Sequence, residues 1–207
     1  MICILGGTFD PIHYGHLRPA REAMAALGCG TLHVIPSAQP PHRPAPVASA
    51  AQRLRMVELA VAEFPGFRAD DRELRRGGPS YTVLTLESLR AEYGAQSLCL
   101  LMGMDVFLGF ESWHRWQDIL DLAHLVVLTR PGWTTDGMAA WAQERCGDKE
   151  ILSRSAAGHL FFLVVDPQNI SATRIRAALA QGDTVGGLLP EAVREFICQN
   201  KIYLNNI

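Results

Sequence analysis

Two histidines in a glycine-rich segment are the residues of this chain best suited to acting on a charged ligand. Residues 6–16 read Gly-Gly-Thr-Phe-Asp-Pro-Ile-His-Tyr-Gly-His. Imidazole changes its charge most easily near neutral pH, so His13 and His16 could donate hydrogen bonds to phosphate oxygens whose negative charge grows during a reaction. The same residues could instead serve only as the polar groups and glycines of a tight turn.

This segment lies between a predicted strand and a predicted helix. Residues 1–5 form a short apolar run that is typical of a buried parallel strand. The apolar residues after His16 recur at the spacing of one helix face: Leu17, Ala20, Met24 and Leu27. Backbone N–H groups and the positive end of the helix dipole favour an anion at a helix start. The order of strand, glycine turn and helix therefore predicts a phosphate site.

A second segment that could meet an anion lies near the C-terminus. Residues 170–176 read Ile-Ser-Ala-Thr-Arg-Ile-Arg and precede a helical run over 177–181, which Gly182 would end. Ser171 suits an N-cap. Ordinary capping, with both arginines in solvent, is therefore one interpretation of the segment.

Three further strings could bind a base or a sugar. The carboxylate of Asp105, in Gly-Met-Asp at 103–105, could accept from ribose hydroxyls or could cap the next segment. Trp113 could stack on a pyridine ring, although its spacing with Phe110 and Trp116 is more typical of core packing. Residues 80–85, Ser-Tyr-Thr-Val-Leu-Thr, open a predicted helix with hydroxyls that could simply be caps.

The glycine–histidine string resembles the Gly-Thr-Phe-Asp-Pro-x-His-x-Gly-His motif of the nucleotidyltransferase superfamily, and residues 170–176 resemble its Ile-Ser-x-Thr-x-x-Arg element. Other strings resemble bacterial nicotinate-nucleotide adenylyltransferases nearly end to end. They are Pro-Pro-His-Arg at 40–43, Ser-Tyr-Thr-x-x-Thr at 80–85, Gly-x-Asp at 103–105 and Trp113. The resemblance implies that AMP is transferred from ATP to nicotinate mononucleotide with Mg²⁺, giving pyrophosphate and deamido-NAD for NAD biosynthesis.

The resemblance also implies roles by position. His13, His16 and Arg176 would be the catalytic residues. ATP would be bound by Gly7, Thr8, Phe9, His13, His16, Gly103, Asp105, Ser171, Thr173 and Arg176. Nicotinate mononucleotide would be bound by Asp10, His42, Arg43, Thr82, Thr85, Asp105, Trp113 and Arg130. Met104 and His114 depart from the family pattern and leave the choice between acid and amide pyridines open.

Three alternatives are compatible with these motifs, one of which is a structural α/β module that carries them incidentally. A sister nucleotidyltransferase, acting on nicotinamide mononucleotide or transferring a phosphopantetheine or cytidylyl group, would share the first motif. A noncatalytic nucleotide sensor would share the fold and the phosphate loops, which do not by themselves establish turnover.

Composition narrows the class of protein. The net charge of −2 over 207 residues, with 19% charged residues, gives no global case for a nucleic-acid or membrane partner. The five cysteines are odd in number and widely spaced, which favours reduced thiols in the cytoplasm. No apolar stretch approaches the roughly 20 residues of a membrane span. We expect a soluble, cytoplasmic protein with a single domain over 1–207; the oligomeric state stays open.

Strand-like runs alternate with helical patterns along the whole chain. Strands are predicted at 1–5, 31–36, 97–102, 124–129 and 160–165, and helices at 16–28, 49–64, 80–93, 115–122 and 136–146. This alternation predicts an α/β, Rossmann-like, doubly wound fold with a mainly parallel sheet and helices on both faces. Residues 67–74 are predicted as a further, more exposed strand. Five prolines within 36–46 predict a stiff loop.

Overall fold

The strands of the protein lie close to the segments that the hydrophobic pattern predicts. The computed structural model describes residues 1–41, 44–134 and 137–204. The strands are β1 (Ile2–Gly7), β2 (Thr31–Pro36), β3 (Phe67–Ala69), β4 (Leu98–Gly103), β5 (His124–Thr129) and β6 (Leu160–Val164). β2, β4 and β5 are buried along nearly their whole length, as parallel strands covered on both faces are.

In the described residues, the strands form one six-stranded sheet with the order β3-β2-β1-β4-β5-β6. β4 pairs in parallel with β1, β5 with β4, and β6 with β5. The strand order reverses its direction between β1 and β4, which is the arrangement of a doubly wound sheet. Right-handed crossovers on either side of such a reversal put helices on both faces. The predicted α/β fold class is confirmed.

The helices follow the strands as the alternation predicts. They are α1 (Tyr14–Leu27), α2 (Ala50–Val61), α3 (Arg72–Arg76), α4 (Thr82–Tyr93), α5 (Met104–Phe107), α6 (Trp116–Leu122), α7 (Ala140–Glu144), α8 (Lys149–Arg154), α9 (Ala172–Ala180) and α10 (Glu191–Gln199). A 3-10 turn covers Phe110–Ser112. No helix in the described ranges is long and apolar enough to cross a bilayer.

Two helix starts are fixed by local hydrogen bonds. At α2, the Ser49 hydroxyl accepts from the Gln52 N–H at 3.2 Å while the Gln52 side chain accepts from the Ser49 N–H at 2.9 Å. This capping box satisfies two backbone donors at once. At α9, the Ser171 hydroxyl accepts from the Arg174 N–H at 3.2 Å, which confirms Ser171 as an N-cap.

The strand predicted over residues 67–74 is wrong beyond Ala69. The Asp70 carboxylate accepts from the Arg72 N–H at 3.0 Å and lies 2.8 Å from the Arg72 guanidinium. Because this side chain bonds the backbone two residues on, the chain turns and enters α3 instead of continuing as a strand. The predicted exposure is also wrong, since Asp70 and Arg72 are both only 8% exposed.

The chain clusters into two compact units. The first unit comprises residues 1–6, 22–33 and 81–167; the second comprises residues 7–21, 34–80 and those from 168 onward. The first unit contains β4, β5 and β6 with their helices. The second contains the loop after β1 together with α2, α9 and α10. A single domain over the whole chain stays a prediction.

The buried Asp70–Arg72 pair provides a test of packing in the second unit. We expect Arg72→Met to lower the free energy of unfolding by about 3 kcal/mol, because it removes a cation from beside a buried carboxylate. The matched variant Arg55→Met breaks an exposed pair with Glu58 and should cost less than about 0.5 kcal/mol. Urea unfolding measures both, and equal costs would contradict the assigned role of burial.

Candidate active site

In the loop after β1, the backbone takes an unusual conformation at Phe9 and buries the Phe9 ring. Phe9 has a φ of 51° and its side chain is only 2% exposed. A Cβ atom on Gly7 would lie 2.8 Å from that ring, so only glycine fits there without displacing Phe9. The ring meets the His16 imidazole edge-on, with centroids 5.2 Å apart. Gly7 and Phe9 therefore help to position His16.

The two histidines of the loop stack on each other. Their ring centroids are 3.8 Å apart, and the His13 backbone N–H donates to the Nδ1 atom of His16 at 3.3 Å. In a neutral imidazole, an Nδ1 that accepts a hydrogen bond leaves the proton on Nε2. When the His16 ring is neutral, this contact therefore favours the tautomer that carries the proton on Nε2.

His13 is a neutral group in this environment. It is 4% exposed, and burial lowers its pKa from 6.5 to about 4. Its Nδ1 atom is buried without a hydrogen-bond partner among the described residues. A Cβ atom on Gly15 would lie 2.8 Å from this Nδ1 and 3.1 Å from the Ile170 carbonyl oxygen, so the glycine permits both close approaches.

Arg176 on α9 contacts the loop after β1 within the second unit. Its Nη1 donates to the Asp10 carbonyl oxygen at 2.7 Å, and its Nη2 donates to the Thr173 hydroxyl at 3.4 Å. The arginine side chain is 29% exposed. The two segments that the sequence predicts to meet phosphate are thus brought together, with the guanidinium between them. Ser171 is used as the cap of the same helix.

Asp10 is almost fully occupied by groups of the protein itself. Its carboxylate accepts from the N–H groups of Val47 and Ala48 at 2.9 and 3.0 Å, and from the Tyr203 hydroxyl at 2.6 Å. The side chain is 7% exposed. Contact of Asp10 with a mononucleotide stays a prediction, while its contacts identify it as the residue that ties the loop to α2 and the C-terminal segment.

Arg53 is a residue of this region that the sequence analysis missed. It is 1% exposed, and its guanidinium donates to the carbonyl oxygens of Thr8, Ser37, Ala38 and Ala48 at 2.8, 2.6, 3.3 and 3.3 Å. Burial lowers its pKa. The signal was present in the sequence, because Arg53 takes an apolar position on the buried face of α2. An arginine in that pattern indicates a buried cation with fixed partners.

In the first unit, Gly103 and Asp105 lie where β4 passes into α5. Gly103 is the N-cap, so the alternative in which Asp105 caps the helix is wrong. Asp105 is exposed in the first turn. A Cβ atom on Gly103 would lie 2.6 Å from an Asp105 carboxylate oxygen. The glycine therefore makes room for the carboxylate, which gives the Gly-x-Asp spacing a physical reason.

The start of α4 lies against the segment that contains Trp113. Thr82 is the first residue of α4, and Thr85, one turn later, is 3% exposed. The ring of Tyr81, which precedes the helix, lies 4.3 Å from the His114 ring. The residue before Thr82 therefore contacts the residue after Trp113, within the first unit.

Phe110 is the core residue of the predicted aromatic platform. It is fully buried, and the rings of Trp113, Trp116 and Trp141 lie 5.6, 5.8 and 5.9 Å from its ring. Trp116 packs on Trp141 at 5.0 Å. Trp113, like these two tryptophans, is half-buried.

The remaining predicted residues are basic. Arg130 is exposed immediately after β5. His42 and Arg43 lie outside the described residues.

Comparison with known proteins identifies similar sequences over nearly the whole chain. A model of the cytidylyltransferase-like family matches residues 4–178. A protein of Aeromonas hydrophila subsp. hydrophila named "probable nicotinate-nucleotide adenylyltransferase" is 51% identical over 98% of this chain and 96% of its own. One of the same name from Methylococcus capsulatus is 46% identical over 98% and 99%.

Solved structures share the fold at much lower sequence identity. The nicotinic acid mononucleotide adenylyltransferase of Plasmodium falciparum, complexed with NaAD, is similar with a TM-score of 0.73 and 15% identity, over 98% of this chain and 96% of that one. The same enzyme complexed with APC has a TM-score of 0.71 and 14% identity over the same shares.

The burial of His13 makes stability depend on pH. The unfolded chain binds more protons between the folded pKa, about 4, and 6.5, so the free energy of unfolding falls as the pH drops through that window. We expect His13→Gln to make the loss between pH 7 and 4 smaller by roughly 3 kcal/mol. Urea unfolding at a series of pH values measures this.

The exposed His114 provides the matched control for this measurement. His114→Gln should keep the pH dependence of the unaltered protein. If His13→Gln also keeps it, the buried imidazole is not the group that links folding to protons.

Proposed function

This chain belongs to the nicotinate-nucleotide adenylyltransferase family, and from that premise we propose that its two phosphate-directed segments act together in transferring the adenylyl group of ATP to nicotinate mononucleotide. The products are pyrophosphate and deamido-NAD, and the reaction is a step of NAD biosynthesis. The observation that carries the proposal is the contact of Arg176 with the loop that holds His13 and His16. This contact holds a permanent cation against the loop that carries two imidazoles, within the second unit.

The reaction needs positioning and charge stabilisation more than it needs proton transfer. The phosphate of the mononucleotide is already an adequate nucleophile at neutral pH, so no base has to activate it. An oxygen of that phosphate attacks the α-phosphorus of ATP in line, and the bond to the bridging oxygen of pyrophosphate breaks. The negative charge that grows on the phosphate oxygens is what the protein has to stabilise.

His13, His16 and Arg176 of the second unit have distinct roles in this proposal. His16 donates from Nε2, the tautomer that its contact with the His13 backbone favours. His13 donates as a neutral imidazole, since its pKa is about 4. Arg176 neutralises the leaving pyrophosphate, because its charge is permanent and its donors are forked. Ser171 and Thr173 complete the triphosphate site, and Gly7, Thr8 and Phe9 lie around the adenosine and the reacting phosphates.

A divalent metal ion, Mg²⁺, is proposed to accompany ATP. Mg²⁺ is usually bound through substrate phosphates and water with one or two carboxylates, a ligand set that bound ATP itself largely supplies. The ion would offset phosphate charge when bound. No group of three or more His, Cys, Asp or Glu side chains that could hold a metal occurs in the described part of the chain.

The residues of the first unit are proposed to bind the nucleoside parts of the substrates. Asp105 beside Gly103 accepts from ribose hydroxyls. Thr82, Thr85, Asp105, Trp113 and Arg130 of this unit bind nicotinate mononucleotide. Asp10, His42 and Arg43, which are not residues of the first unit, are proposed to bind the same substrate. The half-burial of Trp113 supports this, since a half-buried indole can still stack on a pyridine ring.

The whole chain is proposed to act as one nucleotidyltransferase domain in the cytoplasm. All five cysteines are free thiols, which supports a reducing compartment.

The substrate assignment is tested by supplying the purified protein with ATP, Mg²⁺ and one mononucleotide at a time. We expect pyrophosphate release with nicotinate mononucleotide to exceed release with the nicotinamide form, and to match the deamido-NAD formed. Equal or greater use of the amide would overturn the substrate choice. Absence of release with either would favour a nucleotide sensor.

The role of His16 is tested by His16→Ala. Turnover should fall about 100- to 1,000-fold, the usual cost of losing one transition-state donor, while ATP binding should weaken much less. His159→Ala, which removes a histidine of the first unit from outside the proposed site, is the control and should keep normal turnover. Near-normal turnover of His16→Ala would remove His16 from the mechanism.

A further inference from the structure

The C-terminal segment of the chain reaches the loop that holds the catalytic histidines. Tyr203 is 8% exposed and its hydroxyl donates to the Asp10 carboxylate at 2.6 Å, across a sequence separation of 193 residues. Tyr203 also has a φ of 62°, in the left-handed region that a non-glycine residue rarely adopts. The residue whose hydroxyl bonds Asp10 therefore also has an unusual backbone conformation.

Asp10 has two separate contacts with Arg176. Its backbone carbonyl accepts from Nη1 at 2.7 Å, whereas its carboxylate oxygen Oδ2 lies 4.0 Å from the same nitrogen. The carboxylate is thus just at the limit of an ion pair. A short shift toward Arg176 would turn this distant approach into a direct charge pair, which is a strong interaction in a partly buried place.

Such a charge pair would compete with phosphate for the guanidinium. An arginine held by a carboxylate has fewer donors and less net positive field for an anionic ligand. The carboxylate is kept from this by three donors: the N–H groups of Val47 and Ala48 and the Tyr203 hydroxyl. Burial and the bond to Asp10 raise the pKa of Tyr203, so the hydroxyl keeps its proton and remains a donor.

We propose that Tyr203 is a positioning residue for the adenylyl transfer, which acts through Asp10 to keep the Arg176 guanidinium available to the triphosphate. The inference rests on the proposed function for its catalytic consequence. The coupling of Tyr203 to Arg176 in the binding of ATP can be measured without any turnover.

The direct test is Tyr203→Phe, which removes only the hydroxyl. A lost hydrogen bond to a charged group is expected to weaken ATP binding about tenfold, measured by calorimetry without mononucleotide, and to lower kcat/KM for ATP by a similar factor. The control Tyr93→Phe removes the hydroxyl that bonds His33 in the first unit. It should leave both quantities unchanged.

A double-variant cycle distinguishes a positioning role of Tyr203 from a purely structural one. If Tyr203 acts through Arg176, Tyr203→Phe weakens ATP binding in the unaltered protein but adds nothing in an Arg176→Ala background. If the hydroxyl only fastens the C-terminal segment, the two losses multiply, and the proposal is overturned. Unchanged ATP binding in the single variant overturns it as well.

The two proposals fail in different ways. If the unaltered protein releases no pyrophosphate with nicotinate mononucleotide, the proposed function fails, while the cycle on ATP affinity still decides whether Tyr203 and Arg176 are coupled. If the transfer occurs but the cycle is additive, only the role of Tyr203 fails. Urea unfolding of each variant confirms that the compared proteins are folded at the assay temperature.

Discussion

A buried guanidinium satisfies the carbonyl groups that the loop after β1 and its neighbours cannot pair within a strand or a helix. Arg53 donates to Thr8, to Ser37 and Ala38, and to Ala48, three segments that have no regular structure in common. Buried carbonyls without partners are costly, so bonding all of them to one side chain lowers the cost of bringing these segments together. The stacked histidines lie in the loop that this cation holds, and they depend on it for a fixed backbone.

The proposed site would allow a chain with a net charge of −2 to bind a polyanion. Its means are local: a partly exposed arginine, a helix start and two imidazoles in the second unit. Neutral His13 adds a hydrogen-bonding group without adding a buried cation that the ligand-free protein would have to stabilise. The positive field is therefore concentrated where phosphate charge is proposed to develop.

The features that could be predicted from the sequence are those that depend on residues close together in the chain. The buried strands and the Ser171 cap are set by a few adjacent residues, and they were predictable. Residues 67–74 were misread because a short alternation is a weaker signal than the bond from the Asp70 carboxylate to the next turn. Tyr203 was missed because its partner Asp10 lies far away in sequence. Arg53 was missed although its place on the apolar face of α2 is a signal in the sequence. The pKa of His13 depends on burial, which spacing alone does not report.

The contacts of Asp10 and Gly7 have a consequence for how this protein can change over evolutionary time. The Gly7 carbonyl accepts from the Ser37 N–H at 2.9 Å, and Asp10 accepts from Val47 and Ala48. Both ends of the proline-rich segment are thus fastened to the loop that carries the histidines. We expect mutations between these two anchor points to leave the loop that carries the histidines in place. Under the proposed function, substitutions in this segment would change the choice of acceptor molecule and leave the phosphate-directed loop unaltered.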